Sequence, residues 1–318
     1  MMRAGYLFIA LATLFFSTME VALKDIAGQF NPVQITMTRF LVGGVALLPF
    51  ALRALRRRGV SLSGQDAAHF ALLGFLGIFI SMTLYQLAVE NANASVVAVL
   101  FSCNPVFVLI FARLLLGARI QRHQVISLLF QGAGILFLIN PLATRISTPG
   151  LVFSLLSPLA FALYVVAGTR PCARCSGVVV TCGSFLFGGL EMLLLAGLSH
   201  IGPTADFLTA HGLELFAEIP LFAGYTPENL LHMIYICLGV TGGGYAFYFM
   251  AVEATSPVTA SLVFFFKPVL APILAFLLLH EPIPFNMIVG IGLILIGSLC
   301  SFRVEAIGNR IKKSLSGD

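Results

Sequence analysis

Apolar residues run along this chain in blocks of about 20, and only clusters of glycine, proline and charge interrupt them. At roughly 1.5 Å of rise per helical residue, about 20 residues cross the roughly 30 Å hydrocarbon core of a bilayer. The pattern predicts ten membrane helices, at about 4–24, 32–52, 68–89, 94–116, 123–140, 149–169, 178–199, 229–251, 257–279 and 284–302. Polar stretches from Arg53 to Asp66 and from His200 to Glu228 mark the clearest boundaries. The tightest are Asn91 to Asn93 and Thr255-Ser256. The first block follows Met1-Met2-Arg3 with no small-residue cleavage site behind it, so it reads as a retained helix rather than a signal peptide.

Composition points to the same solvent: 59% of residues are hydrophobic, 10% are charged, and the mean hydropathy is +1.01. Charge then orients the chain, because Lys and Arg accumulate in short cytoplasmic loops. With the N-terminus inside, thirteen of the 18 Lys and Arg residues fall on inside segments. Outside segments hold only Lys24 and Arg145, and Arg39, Arg113 and Lys267 lie within spans. The expectation is a multi-pass protein of the bacterial inner membrane with both termini cytoplasmic and residues 304–318 as a basic tail. The net charge of +5 is then a matter of topology. The Arg56-Arg57-Arg58 run reads as a retention signal rather than a track for nucleic acid.

The chain also repeats itself. Tyr85-Gln86-Leu87-Ala88-Val89-Glu90 returns as Tyr248-Phe249-Met250-Ala251-Val252-Glu253, and the register continues without a gap through Pro105/Pro268 to Leu114-Leu115-Leu116/Leu277-Leu278-Leu279. About a dozen of 32 aligned positions are identical. This pattern predicts two five-helix units, 4–140 and 149–303. Because five is odd, the second enters the membrane inverted, with Glu90 outside and Glu253 inside. Inverted repeats of this kind build secondary transporters with a site near the midplane.

These residues resemble the drug/metabolite transporter superfamily, in its ten-helix branch with paired EamA domains. The first helix reads Phe16-Ser17-Thr18-Met19-Glu20-Val21-Ala22-Leu23-Lys24, which keeps the family's Lys but lacks its Trp-Gly. Arg39-Phe40 matches the second-helix Arg-Phe pair. Leu84-Tyr85-Gln86-Leu87-Ala88, Pro105 and Leu115-Leu116-Gly117 follow the pattern of the third and fourth helices, with Ala118 in place of the closing Glu. The second half supplies Tyr248, Ala251, Ser256-Pro257, Pro268 and His280-Glu281, keeping that Glu and losing the Gly. The resemblance spans roughly 5–140 and 150–303 and implies movement of small metabolites, amino acids among them.

An ionised group at a helix centre costs about 2.5–3.5 kcal/mol on insertion scales, so each one needs a reason. Lys267 lies midway along its span, with Ala260, Phe264, Ala271 and Leu274 on the same face. It reads either as an anchor for a substrate carboxylate or phosphate, or as the permanent partner of Glu20 or Glu191. Its counterpart in the first repeat is Asn104, polar but uncharged. Pro105 and Pro268 interrupt the backbone ladder nearby, which suits either a site or a packing kink. Glu20 is a candidate proton-coupling group or an i, i+4 partner of Lys24. The four-helix multidrug relatives carry an essential first-helix Glu about one turn earlier, so this correspondence is loose. Arg39 reads as a structural anchor near the outer mouth rather than a substrate contact. Glu191, near the centre of the seventh span, calls for a partner, with Lys267 and solvent both admissible.

Tyr85, Tyr164, Tyr245 and Tyr248 offer hydroxyls and ring faces to a ligand, or simply pack. Thr241-Gly242-Gly243-Gly244-Tyr245 permits either bending or close helix approach. Arg113 is near enough to its span's inner end to snorkel. Cys172 and Cys175 form a single CxxC on the cytoplasmic side, read as free thiols rather than a metal or redox pair. The acidic His200 to Glu228 segment, without Lys or Arg, suits the outside. Phe207, Leu208, Leu213, Leu215 and Phe216 there would line a short surface helix, either a lid or an inert loop. No phosphate-binding Gly-rich loop, zinc His-Glu pair or nucleophile elbow occurs, so no cofactor, metal or catalytic residue is assigned. The reading is an all-α carrier in the lipid bilayer for amino acids or related organic anions, with protons as a candidate partner. Its alternatives are a lipophilic-cation exporter using Glu20 or Glu191, an intramembrane lipid-modifying enzyme, and a channel.

Overall fold

The computed structural model describes residues 2–118, 122–139 and 147–297. Every regular element among them is helical: α1 (Met2–Asp25), α2 (Pro32–Arg58), α3 (Gly64–Asn91), α4 (Ala94–Leu116), α5 (Arg122–Ile139), α6 (Thr148–Cys175), α7 (Gly177–Ser199), the short α8 (Gly202–Ala210), α9 (Pro227–Ala254), α10 (Pro257–Leu279) and α11 (Phe285–Gly297). Eight described helices are long and apolar enough to cross a membrane. The fifth and tenth expected spans overlap the shorter apolar stretches Val125–Gly134 and Phe285–Gly297 and run on into residues outside the described set. The tail at 304–318, Arg145 and the last basic residues lie outside the described set.

Two long polar stretches are more helical than expected. α2 continues through Arg53, Arg56 and Arg57 to Arg58, because Arg, Leu and Ala are good helix formers. It stops where Gly59 takes a left-handed φ of 63° and its N–H returns to Arg56 O and Leu55 O. α6 likewise runs on through Arg170 and Pro171 to Cys175. Ser176 alone, at φ 109°, links it to α7.

Helices associate in a bilayer through small residues that let backbones approach. A Cβ added to Gly74 would lie 2.4 Å from Gly188 N, which clamps α3 to α7, and one on Gly77 would meet the Tyr164 ring of α6 at 2.5 Å. In α9, Gly244 presses on Phe16 of α1, where a Cβ would come within 2.9 Å. The Gly242 to Gly244 run sits in a π-helical stretch, Tyr235–Gly244, and a second one, Phe75–Met82, occupies α3 in overlapping repeat register. α2 packs along α7, α1 against α9 and α10, and α6 against α3 and α4.

The expected ladder breaks are displaced from the prolines. α4 is interrupted at Ser102 and Cys103, so Pro105 opens the following helical segment instead of breaking one. α10 is interrupted at Ser261 and Leu262, and Pro268 lies inside the segment that follows. Ser102 Oγ donates to Ala98 O at 2.8 Å and Ser261 Oγ to Val258 O at 2.6 Å, so hydroxyls occupy carbonyls near both breaks.

The two ends of the bundle are tied differently. Beside the Arg53 to Arg58 stretch, Arg58 pairs with Glu253, which also accepts from Gly177 N, and Arg174 pairs with Asp66. At the opposite end Glu281 accepts from Ala94 N (2.9 Å), Ser95 N (3.1 Å) and Ser95 Oγ (2.7 Å), joining the end of α10 to the start of α4. Lys24 donates to Val89 O (2.8 Å) and Ala92 O (3.0 Å), closing the end of α3. Over this end the His200 to Glu228 segment is tied down rather than loose: Asn31 Nδ2 donates to Leu215 O (2.9 Å) and Gln34 Nε2 to Ala223 O (2.7 Å). Its Phe207 and Leu215 remain exposed.

Candidate functional site

The repeat pairs converge where α1, α3, α4, α6, α9 and α10 meet. Tyr85 stacks edge-on with Phe101 at 5.2 Å between centroids, and their counterparts Tyr248 and Phe264 lie 5.7 Å apart. Phe101 and Phe264 join the two halves at 5.4 Å. Phe16, Phe161 and Tyr245 complete a continuous aromatic cluster around them.

Lys267 enters this cluster from α10, fully buried, with Nζ 4.9 Å from the Phe101 centroid and 5.5 Å from that of Tyr85. Ring faces attract a cation, so the ammonium is held partly by π density. Its charged partner is Glu20 of α1, also fully buried, with which it forms an ion pair. Glu20 therefore does not pair with Lys24, which reaches the α3 carbonyls instead, and Lys267 does not pair with Glu191.

Arg39 is fully buried, its guanidinium carbon is 4.7 Å from the Phe40 centroid, and Nη1 reaches only the Met19 sulfur at 3.8 Å. Nε and Nη2 have no acceptor among the described residues. Glu20 is the carboxylate within electrostatic reach of both Arg39 and Lys267. Lys267 thus takes the carboxylate of Glu20, and among the described residues Arg39 has no carboxylate within ion-pair distance.

The other expected site residues divide. Asn104 is fully buried and its Nδ2 donates to Pro158 O at 2.9 Å, leaving Oδ1 without a donor. Tyr248 presents an unpartnered hydroxyl in the cluster. Tyr164 is committed to Ser184 Oγ at 2.8 Å, and Tyr245 to the Met82 sulfur at 2.7 Å. Glu191 is elsewhere, on a surface groove between α3 and α7 lined by Leu72, Phe75, Phe79 and Leu194. The sequence reading named Phe264 only as a face neighbour of Lys267 and Phe16 only within the first-helix motif, and it did not name Phe101 or Phe161. The repeat register that pairs Tyr85 with Tyr248 also pairs Phe101 with Phe264 and held that signal. Cys172 and Cys175 are buried and free, and no group of three metal-ligating side chains occurs among the described residues.

Such an arrangement can exchange one anionic partner for another without chemistry: a desolvated ammonium and guanidinium bind carboxylate or phosphate oxygens through charge-assisted hydrogen bonds. A model of the EamA-like transporter family matches residues 3–140 and again residues 148–303. The chain is 34% identical to a protein of Clostridium kluyveri described as an uncharacterized transporter, over 98% of this chain and 97% of that one. It is 30% identical to the pseudopaline exporter CntI of Pseudomonas aeruginosa, over 55% of this chain and 60% of the exporter. A solved structure aligns with 95% of this chain and 98% of its own at a TM-score of 0.67 and 20% identity, a likeness of fold.

Proposed function

Since the chain belongs to the EamA-like transporter family, we propose that it is a secondary carrier for small polar metabolites, amino acids or organic anions, working by alternating access. The protein is a multi-pass membrane transporter. The finer reading takes the buried cluster as the binding site: Lys267 as anchor, with Arg39, Asn104, Tyr85 and Tyr248 around it and Glu20 as the resident counterion. One observation carries this reading, namely two fully buried cations of which only Lys267 has a carboxylate partner among the described residues. A cluster built only for stability would balance its charges, because an uncompensated buried ion costs several kcal/mol.

The two repeats, inverted and parted at the cluster, rock about it, and the interrupted α4 and α10 supply the moving walls. Protonation of Glu20 releases Lys267 and gives a route for proton coupling; facilitated exchange uses the same geometry without that step. Basic-residue placement supports cytoplasmic termini in an inner membrane. Export is the direction in line with CntI, a named exporter. The cluster's positive balance speaks against lipophilic cations at Glu20, whose charge Lys267 already holds.

Counterflow in proteoliposomes tests the reading. Labelled amino acids and organic anions are offered outside against the unlabelled compound inside, for wild type and Lys267→Met. Saturable exchange lost in Lys267→Met is expected. Full exchange with an unchanged substrate range in the variant would remove Lys267 from the site.

A further inference from the structure

We infer that Arg39 is a second substrate-binding arm, and that the substrate is a net anion with one carboxylate for Lys267 and another oxyanion, carboxylate or phosphate, for Arg39. This inference rests on the carrier reading above and specifies the charge and shape of what that site takes. Three observations lead to it.

The first is the charge count: Lys267, Arg39 and Glu20 are all fully buried and Glu20 pairs with Lys267, so among the described residues the charge of Arg39 is left over. The second is geometric. Lys267 holds Glu20 directly, whereas Arg39 makes no ion pair; Nε and Nη2 have no acceptor among the described residues, and Nη1 has only the Met19 sulfur. Guanidinium presents its donors as a planar fork suited to two oxygens of one carboxylate or phosphate. Since buried donors are almost always satisfied, a fork with two unsatisfied nitrogens inside an aromatic shell calls for an account. The third is the asymmetry of the repeat. Lys267 replaces Asn104 at the equivalent place, so the second half adds a cation that the first lacks, and Arg39 on α2 adds the other.

Glu20 then has a defined part in the exchange. It holds Lys267 when no substrate is bound, and a substrate carboxylate takes its place beside the ammonium as the second oxyanion engages Arg39. A substrate ammonium group, where there is one, faces Glu20. Zwitterions of no net charge satisfy Lys267 and Glu20 while leaving Arg39 unpaired, so the site ranks them below net anions of the same size.

Thermal shift on the purified full-length protein tests this with paired probes of equal size: succinate against succinamate, and L-glutamate against L-glutamine, with tetraphenylphosphonium as the cation. Wild type, Arg39→Gln, Arg39→Lys and Lys267→Met are compared, each checked first for a cooperative melt without ligand. The expected result is stabilisation by the acids over their half-amides, and an apparent Kd for the acids weakened about tenfold to a hundredfold in Arg39→Gln. Partial recovery is expected in Arg39→Lys, which keeps the charge and loses the fork. If acids and half-amides stabilise equally, or the acids' preference survives Arg39→Gln, the second arm is wrong, and the carrier site stands where Lys267→Met abolishes stabilisation by the acids. If tetraphenylphosphonium alone stabilises, or no probe does, both this inference and the anion site fall.

Discussion

Replacing Glu20 by glutamine keeps the side chain's size and removes its charge, which isolates the electrostatic part of the cluster. Lys267 and Arg39 are both fully buried, and Glu20, also fully buried, is the carboxylate paired with Lys267. The variant therefore holds two uncompensated cations where wild type holds one. Breaking a buried pair by removing one partner costs about 3–5 kcal/mol. At roughly 2 °C per kcal/mol for a chain of this size, the melting temperature should fall by about 6–10 °C. Lys267→Met has the opposite balance, since Arg39 remains to compensate Glu20, and its loss should be smaller. The double variant Glu20→Gln/Lys267→Met restores the wild-type charge count and should melt above Glu20→Gln alone. Melting curves of the four proteins in one detergent make the comparison. If Glu20→Gln melts within about 1 °C of wild type, or the double variant melts no higher than it, the ion pair is not what holds this cluster.

Three further outcomes follow from the geometry. His280 carries a left-handed φ of 55°, where its repeat counterpart Gly117 has 68°, so His280→Gly should raise stability by up to about 1 kcal/mol, read as a higher melting temperature. Glu281 accepts three hydrogen bonds from the start of α4 that Ala118, at the equivalent place in the first repeat, cannot accept; in a Ser95→Cys reporter, which keeps the two backbone bonds, Glu281→Ala should speed modification of that cysteine by an impermeant thiol reagent. Gly77→Ala drives a methyl into the Tyr164 ring at 2.5 Å and should cost about 1–3 kcal/mol, with Gly132→Ala, where a Cβ meets open space, as the neutral control in the same melting assay.

How far the sequence was legible depends on whether a feature was local. Helix ends at Asn91, Ala94, Ala254 and Pro257 follow directly from the polar and proline punctuation, because caps and breakers act over a few residues. The importance of Lys267 was also local, since one charge amid an apolar run has few explanations. Its partner was not: Glu20 and Glu191 have equal claims in a linear pattern, and only the crossing of α1 with α10 separates them. The contacts of Arg39 were not legible either, since its burial against Phe40 and Met19 depends on how α1 and α2 pack. The π-helical stretches left no signal that apolar periodicity could register. The interruptions of α4 and α10 were expected at prolines, yet serine hydroxyls bond to carbonyls where the turns occur. Repeat register was the most informative non-local signal, since it brings Tyr85 with Tyr248 and Phe101 with Phe264 into one place.

The central claim is that this buried cluster is a site opened alternately to the two faces of the membrane. Asn104 is fully buried and is the repeat counterpart of Lys267, so Asn104→Cys in a background without the native cysteines is the reporter. The measurement is its reaction with a membrane-impermeant thiol reagent, added separately to each side of vesicles of one orientation. Alternating access predicts labelling from both sides, slowed from both by any solute that stabilises the protein. Labelling from neither side, or from one side only whatever solute is present, would mean that the cluster is fixed core and not a transport site.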